Sequence, residues 1–183
     1  MTDAQRRLID LLQNALDEYG YCEAAEGPAG GIPFVARLAT ASKKKPQYVC
    51  AVVEAPPGLR GIGRCQVLVE RVRDFLSGQP PRAIFKGRGT YLVLLCSHEL
   101  FEELCDHERT LIDRTGLHRN VLLGTCLVDA ERLECSGAST WGLFHSGRHY
   151  GAVKATVLHW CGDARAAGEA PEEGRPCPAS SCC

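Results

Sequence analysis

One run of residues constrains the fold of this chain more than any other feature. Thr90-Tyr-Leu-Val-Leu-Leu-Cys96 is apolar throughout its middle and lacks the polar alternation of a half-exposed strand. Such a run belongs in the centre of a β-sheet that is covered on both faces. The run therefore predicts a sheet that lies between layers of helices.

Amphipathic helices precede this run. Thr2 stands three residues before Gln5, which is the capping-box spacing, and the apolar stripe that follows predicts a helix ending at Gly20. A second stripe of helical period ends at Gly78. Ser97 can cap a third helix, which the pattern extends to residue 115.

Strand patterns separate and follow these helices. The predicted strands are 21–26, 32–41, 48–54, 83–85, 90–96 and 120–128. A helical turn is expected within 129–137, and a hairpin is expected from 140–144 and 149–160. The element order predicts an α/β (α+β) domain with a mixed sheet flanked by helices.

The same order is that of restriction-endonuclease-like cores, in which an acidic strand residue and a Glu-x-Lys motif hold magnesium. The strand 48–54 supplies Glu54, but Pro56 stands where the lysine would be. If the topology is of that kind, its nuclease site is empty.

Length and composition predict one domain and a tail. A chain of 183 residues that is 45% apolar can bury one sizeable core. We assign residues 1–161 to the domain. Residues 162–183 are rich in Gly, Ala, Glu and Pro and are predicted to be a disordered tail.

Cysteine usage and the termini predict a cytoplasmic location. Most of the 11 cysteines stand singly within apolar runs and are interpreted as reduced core residues. No signal peptide or membrane span is recognised. The terminal pair Cys182-Cys183 resembles a prenylation signal, and its lipidation would be the only route to a membrane; an unmodified tail is favoured.

The formal charge of -1 gives no overall attraction to nucleic acid. The local run Lys43-Lys44-Lys45 is a possible nucleic-acid contact, but a solvated hairpin tip is the simpler interpretation.

Soft metal ligands occur twice, as Cys96-Ser-His98 and Cys105-Asp-His107. The residue types suit tetrahedral zinc. However, positions two apart on a helix differ by about 200° around its axis, so Cys105 and His107 cannot both face one ion. The segment is therefore interpreted as a strand-to-helix junction without metal, and no cofactor is predicted.

A cysteine hydrolase is the enzymatic alternative. Cys96 lies near a helix start, where a thiolate would be stabilised, and His145 and His149 are the two candidates for its base. Neither histidine lies in a recognisable catalytic motif, so the sequence favours a protein that is not an enzyme.

One segment suggests a family. Gly89-Thr-Tyr-Leu-Val-Leu-Leu95, then a polar helix, then Thr110-Leu-Ile-Asp-Arg-Thr-Gly-Leu-His-Arg-Asn-Val-Leu-Leu123 resembles the small middle-component proteins of bacterial ABC three-component conflict systems. The resemblance covers about residues 83–128. In this chain His118 precedes the basic residue Arg119, where those proteins commonly have a cysteine.

The resemblance implies a bacterial accessory subunit without catalytic residues of its own. Such a subunit would link an SMC-like or ABC ATPase to an effector in anti-phage or anti-plasmid defence, and would meet nucleic acid only indirectly. Asp113 and Arg119 are the candidate partner-binding residues, because they carry the charged part of the pattern.

Overall fold

The computed structural model describes residues 1–23, 32, 34–40, 47–78, 88–112, 120–139 and 147–166. Within these ranges the helices are α1 (Asp3–Asp17), α2 (Ile62–Gly78), α3 (His98–Leu104) and α4 (Gly147–Ala166), and a 3-10 helix spans Glu108–Leu111. The strands are β1 (Tyr21–Glu23), β2 (Phe34–Thr40), β3 (Gln47–Glu54), β4 (Arg88–Cys96), β5 (Asn120–Asp129) and β6 (Glu134–Ser139).

The strands form one mixed sheet in the order β1-β2-β3-β4-β5-β6. β4 is parallel to both β3 and β5, whereas the other neighbouring pairs are antiparallel. β4 is central, and Val93 and Leu94 at its middle are fully buried. The predicted α/β fold with a mixed sheet flanked by helices is confirmed.

Helices cover both faces of the sheet, and the strand period of two assigns each side chain to one of them. On β3, Cys50 and Val52 pack beneath α1 and α4, whereas Ala51 and Val53 pack beneath α2 and α3. We call these the α1/α4 face and the α2/α3 face. Each face has its own apolar cluster, so the molecule has three layers.

The helix starts follow the sequence signals closely. Thr2 caps α1 through a complete capping box: Gln5 N donates to Thr2 Oγ1 at 3.2 Å, and Thr2 N donates to Gln5 Oε1 at 2.9 Å. Ser97 occupies the N-cap position of α3 but makes no side-chain capping hydrogen bond. α3 also ends at Leu104, well before the predicted residue 115, and the 3-10 helix follows it.

The predicted hairpin from 140–144 and 149–160 is wrong, because the second of these segments lies within α4. Val153, Val157 and Trp160 recur at helical spacing and are buried against the sheet and α1. Trp160 Nε1 donates to Ala4 O at 3.1 Å, which fixes α4 beside α1. The β-branched residues favoured a strand, but the buried face has the helical period.

Four further features differ from the prediction or lie outside the described ranges. β6 forms where a helical turn was expected, because its backbone pairs with β5 over Gly124 to Asp129. α4 continues to Ala166, so its last turn extends past the boundary predicted at residue 161. The strand predicted at 83–85 and the tail from residue 167 lie outside the described residues. The restriction-endonuclease-like topology stays a prediction.

Candidate functional site

All five tyrosines of the chain and one histidine lie together at one end of the sheet, and four of the tyrosine rings contact the histidine. Their sequence positions extend from the end of α1 to the first turn of α4, and ring contacts connect them into a single group. We call this group the tyrosine–histidine cluster. Its members are Tyr19, Tyr21, Tyr48, Tyr91, His149 and Tyr150.

The strands place two of these rings side by side on the α1/α4 face. Tyr48 on β3 lies opposite Gly89 on β4, and Tyr91 lies opposite Cys50. A Cβ at Gly89 would come within 2.8 Å of the Tyr48 ring and 2.4 Å of Leu123. Glycine at position 89 therefore leaves the space that the Tyr48 ring needs.

His149 is the centre of the cluster. Its ring centroid lies 4.5 Å from that of Tyr19 and 4.7 Å from that of Tyr48. Tyr21 and Tyr91 lie farther away, at 5.6 and 6.3 Å. Tilted and edge-on contacts at these distances are favourable aromatic geometries, so the imidazole is held from several sides.

A hydrogen bond of 3.0 Å joins Tyr21 Oη to His149 Nδ1. Burial raises the pKa of Tyr21 far above its ordinary value, so the phenol stays protonated and donates. Burial also lowers the pKa of His149, so the neutral imidazole is favoured. Nδ1 accepts the bond, and the proton of the neutral ring therefore lies on Nε2.

The cluster has a buried base and a partly exposed rim. Tyr21 and Tyr91 are 2% and 1% exposed. Tyr19, Tyr48 and His149 are half-buried, and the neighbouring Arg148 is exposed. The rim therefore presents preordered rings beside a positive charge, which suits the binding of an aromatic, carboxylate or amide group of a partner.

Acidification is expected to destabilise the protein through His149. An unfolded histidine has a pKa of about 6.5, and the folded value is lower, so the folded chain binds this proton less readily. The contribution of neutral His149 to stability is complete above about pH 6.5 and is lost as the pH falls toward the folded pKa. The melting temperature of His149→Asn should therefore fall less than that of the wild type between about pH 7.5 and pH 5.

His107→Asn is the matched control for this measurement, because His107 is exposed on the other face of the sheet. It should keep the pH dependence of the wild type. The role assigned to His149 would be contradicted if both variants followed the wild-type curve.

A second polar arrangement lies where β4 and β5 end. His98 Nδ1 is 2.8 Å from Asp129 Oδ2, and the Asp129 side chain is fully buried. The other oxygen, Oδ1, accepts from the backbone N–H groups of Glu131 at 2.8 Å and Arg132 at 2.9 Å. These bonds orient the imidazole and join α3 to the turn between β5 and β6.

The structure does not bring Cys96 and His149 together. Cys96 lies on the α2/α3 face at the end of β4, whereas His149 packs on the α1/α4 face against Tyr91, near the middle of β4. Cys96 is 2% exposed, its thiol donates to Leu94 O at 3.5 Å, and burial raises its pKa to about 12. The thiol is a protonated core group, and this geometry forms no Cys96–His149 dyad.

The cysteines and histidines considered as zinc ligands do not converge on one point. Cys96 points into the core, and His98 is bonded to Asp129. Cys105 is partly buried against the α2/α3 face, while His107 is exposed. In the ranges that the structure describes, no three His, Cys, Asp or Glu side chains are placed to share a metal ion.

Several predicted site residues lie outside the described residues, and the interpretations that depend on them stay predictions. They are Lys43, Lys44, Lys45, Asp113, Arg119, His145, Cys182 and Cys183. Glu54 is described, and it is an exposed acceptor for Gln5 Nε2 at 3.1 Å.

The sequence interpretation missed both the tyrosine–histidine cluster and the buried role of Asp129. No local pattern connects tyrosines so far apart in sequence. Asp129 did leave a signal: it ends a buried strand, and it stands immediately before Ala130-Glu-Arg132. Aspartate at the start of a turn often accepts bonds from the next backbone N–H groups.

Fold and site together define a three-layer α/β domain with an aromatic, partly exposed cluster at one end of its sheet. Comparison with family models, with curated proteins and with solved structures gave no match. Of the helices in the described ranges, none combines the length and the apolarity needed to cross a bilayer.

Proposed function

We propose that this domain is a noncatalytic accessory subunit that binds a larger protein through the rim of the tyrosine–histidine cluster. The observation that carries this proposal is the packing of the half-buried Tyr19 and Tyr48 against His149. Tyrosines and arginines that are already held in place lose little conformational entropy on binding, and they dominate many protein interfaces. Arg148 adds a cation at the rim.

The nature of the partner is inferred from the resemblance of residues 83–128 to middle-component proteins. On that basis the partner is an SMC-like or ABC ATPase, and the complex serves bacterial anti-phage or anti-plasmid defence. The subunit would link this ATPase to an effector in the cytoplasm. The placement of Cys96 in the core is compatible with a role in binding, since a protonated, inaccessible thiol is a poor nucleophile.

Affinity capture from the native host tests the proposal. The tagged wild-type chain is expected to retain a large protein with ATPase activity. The double variant Tyr19→Ala/Arg148→Glu should capture at least about tenfold less of the ATPase, because a rim aromatic and a favourable charge are both lost. Circular dichroism and thermal melting must show that the variant is folded.

Leu158→Ser and Val67→Ser are the matched controls. Both side chains are exposed apolar groups, 47% and 55% exposed, and neither belongs to the cluster. Both variants should capture the ATPase as the wild type does. Capture of no ATPase under gentle conditions, or equal capture by the rim variant, would contradict the proposal. Capture that disappears after nuclease treatment would instead favour the alternative of an inactive nuclease-like domain that binds nucleic acid.

A further inference from the structure

Two cysteines on neighbouring strands lie on the α1/α4 face of the sheet, which also carries the tyrosine–histidine cluster. On the ladder between β5 and β6, Cys126 lies opposite Gly137 and Cys135 lies opposite Val128. Cys126 and Cys135 are therefore diagonal neighbours on the α1/α4 face. Cys126 is fully buried, whereas Cys135 is partly exposed on the outer strand.

The two thiols are electrostatically unequal. A hydrogen bond from the Cys126 thiol is the main cause that lowers the pKa of Cys135, and the Lys154 ammonium lowers it further. The same bond, together with burial, holds the pKa of Cys126 well above its ordinary value. Lys154 is fixed nearby, since its Nζ donates to Gly137 O at 3.5 Å. Cys135 is therefore the more acidic thiol of the pair and the one from which a reactive thiolate forms more readily.

The other core thiols have the opposite character. Burial raises the pKa of Cys50, Cys96 and Cys161 to about 12 and that of Cys65 to about 11. Cys22 is the useful comparison, because it is exposed and lies on β1, at the opposite edge of the sheet from β6. Among the cysteines in the described ranges, Cys135 is the one with a lowered pKa.

We propose that Cys135 and Cys126 form a peroxide-reactive dithiol site. The Cys135 thiolate attacks one oxygen of hydrogen peroxide, the O–O bond breaks, and hydroxide leaves and takes up a proton as water. Cys135 is thereby oxidised to a sulfenic acid, and the peroxide is reduced. The Cys126 thiol then attacks the Cys135 sulfur, a second water leaves, and a Cys126–Cys135 disulfide forms.

The position of the pair favours a reversible bond. Diagonal neighbours in an antiparallel pair have Cα atoms about 7–8 Å apart, slightly more than the ~6.8 Å upper limit of an ordinary disulfide. The Cα separation must therefore shorten by up to about 1 Å through a small slide of β6 along β5, because hydrogen bonding already holds the two strands at their closest lateral spacing. In the described part of the chain β6 pairs only with β5, so this movement breaks no second strand ladder. Strained disulfides are reduced easily, which suits a cycle of oxidation and recovery.

Peptide mapping of the reduced, full-length protein tests the proposal. After a brief exposure to a small molar excess of hydrogen peroxide, free thiols are blocked with N-ethylmaleimide and the digest is analysed by mass spectrometry. We expect a peptide pair that joins Cys126 to Cys135, formed before Cys22 is oxidised and removed by dithiothreitol. In Cys126→Ala, dimedone should instead trap a sulfenic acid at Cys135.

The variant Lys154→Met tests whether the nearby positive charge, and not only the exposure of the thiol, sets the oxidation rate of Cys135. Loss of the ammonium should slow oxidation of Cys135 by about threefold or more, while the rate at Cys22 stays constant. Oxidation of Cys22 before Cys135 would overturn the proposal. A disulfide from Cys135 to Cys161 or to the C-terminal cysteines would overturn the assignment of Cys126, and unmodified Cys135 would overturn the site itself.

Discussion

Asp129→Ala is expected to lower the free energy of unfolding by about 3 kcal/mol. The carboxylate is fully buried and accepts from two backbone N–H groups at 2.8 and 2.9 Å and interacts with His98 Nδ1 at 2.8 Å. Alanine would leave these partners without their acceptor at a partly buried site. Urea titration followed by tryptophan fluorescence measures the change.

Asp163→Ala is the matched control for this aspartate. Asp163 makes an ion pair of the same length with Arg7, 2.8 Å, but at a partly exposed site between α1 and α4. Its loss should cost about 1 kcal/mol or less, because exposed ion pairs are weak. Asp129→Asn should fall between the two, since one oxygen acceptor is kept. If Asp129→Ala and Asp163→Ala cost the same, the buried network would not have the role assigned to it.

Gly137→Ala should destabilise the protein by about 3 kcal/mol or prevent folding. A Cβ at this position of β6 would lie 2.4 Å from Thr125 O and 2.8 Å from Tyr150 Oη. The carbonyl belongs to the neighbouring strand and cannot move without distorting β5. Thermal melting of the purified variant measures the loss.

The contrasting variants are Gly151→Ala and Gly162→Ala on α4. A Cβ at either position meets nothing within 4 Å. Because glycine within a helix costs about 0.5–1 kcal/mol relative to alanine, both changes should stabilise the protein by about that amount. If Gly137→Ala does not fold, adding Tyr150→Phe removes one of the two clashes and should restore part of the yield. A Gly137→Ala protein as stable as the wild type would contradict the packing described here.

Much of the fold was predictable because local and long-range preferences agree there. Thr2 and Gln5 form the capping box that their spacing predicts. The apolar run at β4 occupies the centre of the sheet. In these segments the pattern of apolar residues matches the surface that is buried, so local preference and tertiary packing favour the same structure.

The prediction failed where local residue preferences did not indicate the structure that the tertiary contacts stabilise. The residues of α4 include valine and threonine, which favour strands, yet its buried side chains recur with the helical period once α1 and the sheet are present. Glu134–Ser139 contains small and polar residues with no strand signal, and pairing with β5 makes it a strand. Both assignments depend on contacts with other elements of the fold.

The candidate sites were harder to predict from the sequence than the fold was. Cys96 was placed correctly at the end of a strand, but its depth and its distance from the histidines depend on which face of the sheet it occupies. The Cys126–Cys135 pair depends on a register that no local pattern specifies. Sequence indicated which groups carry chemistry, and the fold determined which of them meet.

By itself the sequence determined the three-layer architecture. Apolar residues recur with a period of two in strand segments and of about 3.6 in helical segments, and each period requires one particular face to be buried. Only the tertiary structure decided that four tyrosine rings contact His149, that Asp129 is buried and bonded, and that Cys126 and Cys135 are diagonal neighbours. The physical reason is that such contacts join residues on different helices and strands. Their distances are fixed by strand register and helix packing and not by spacing in the sequence.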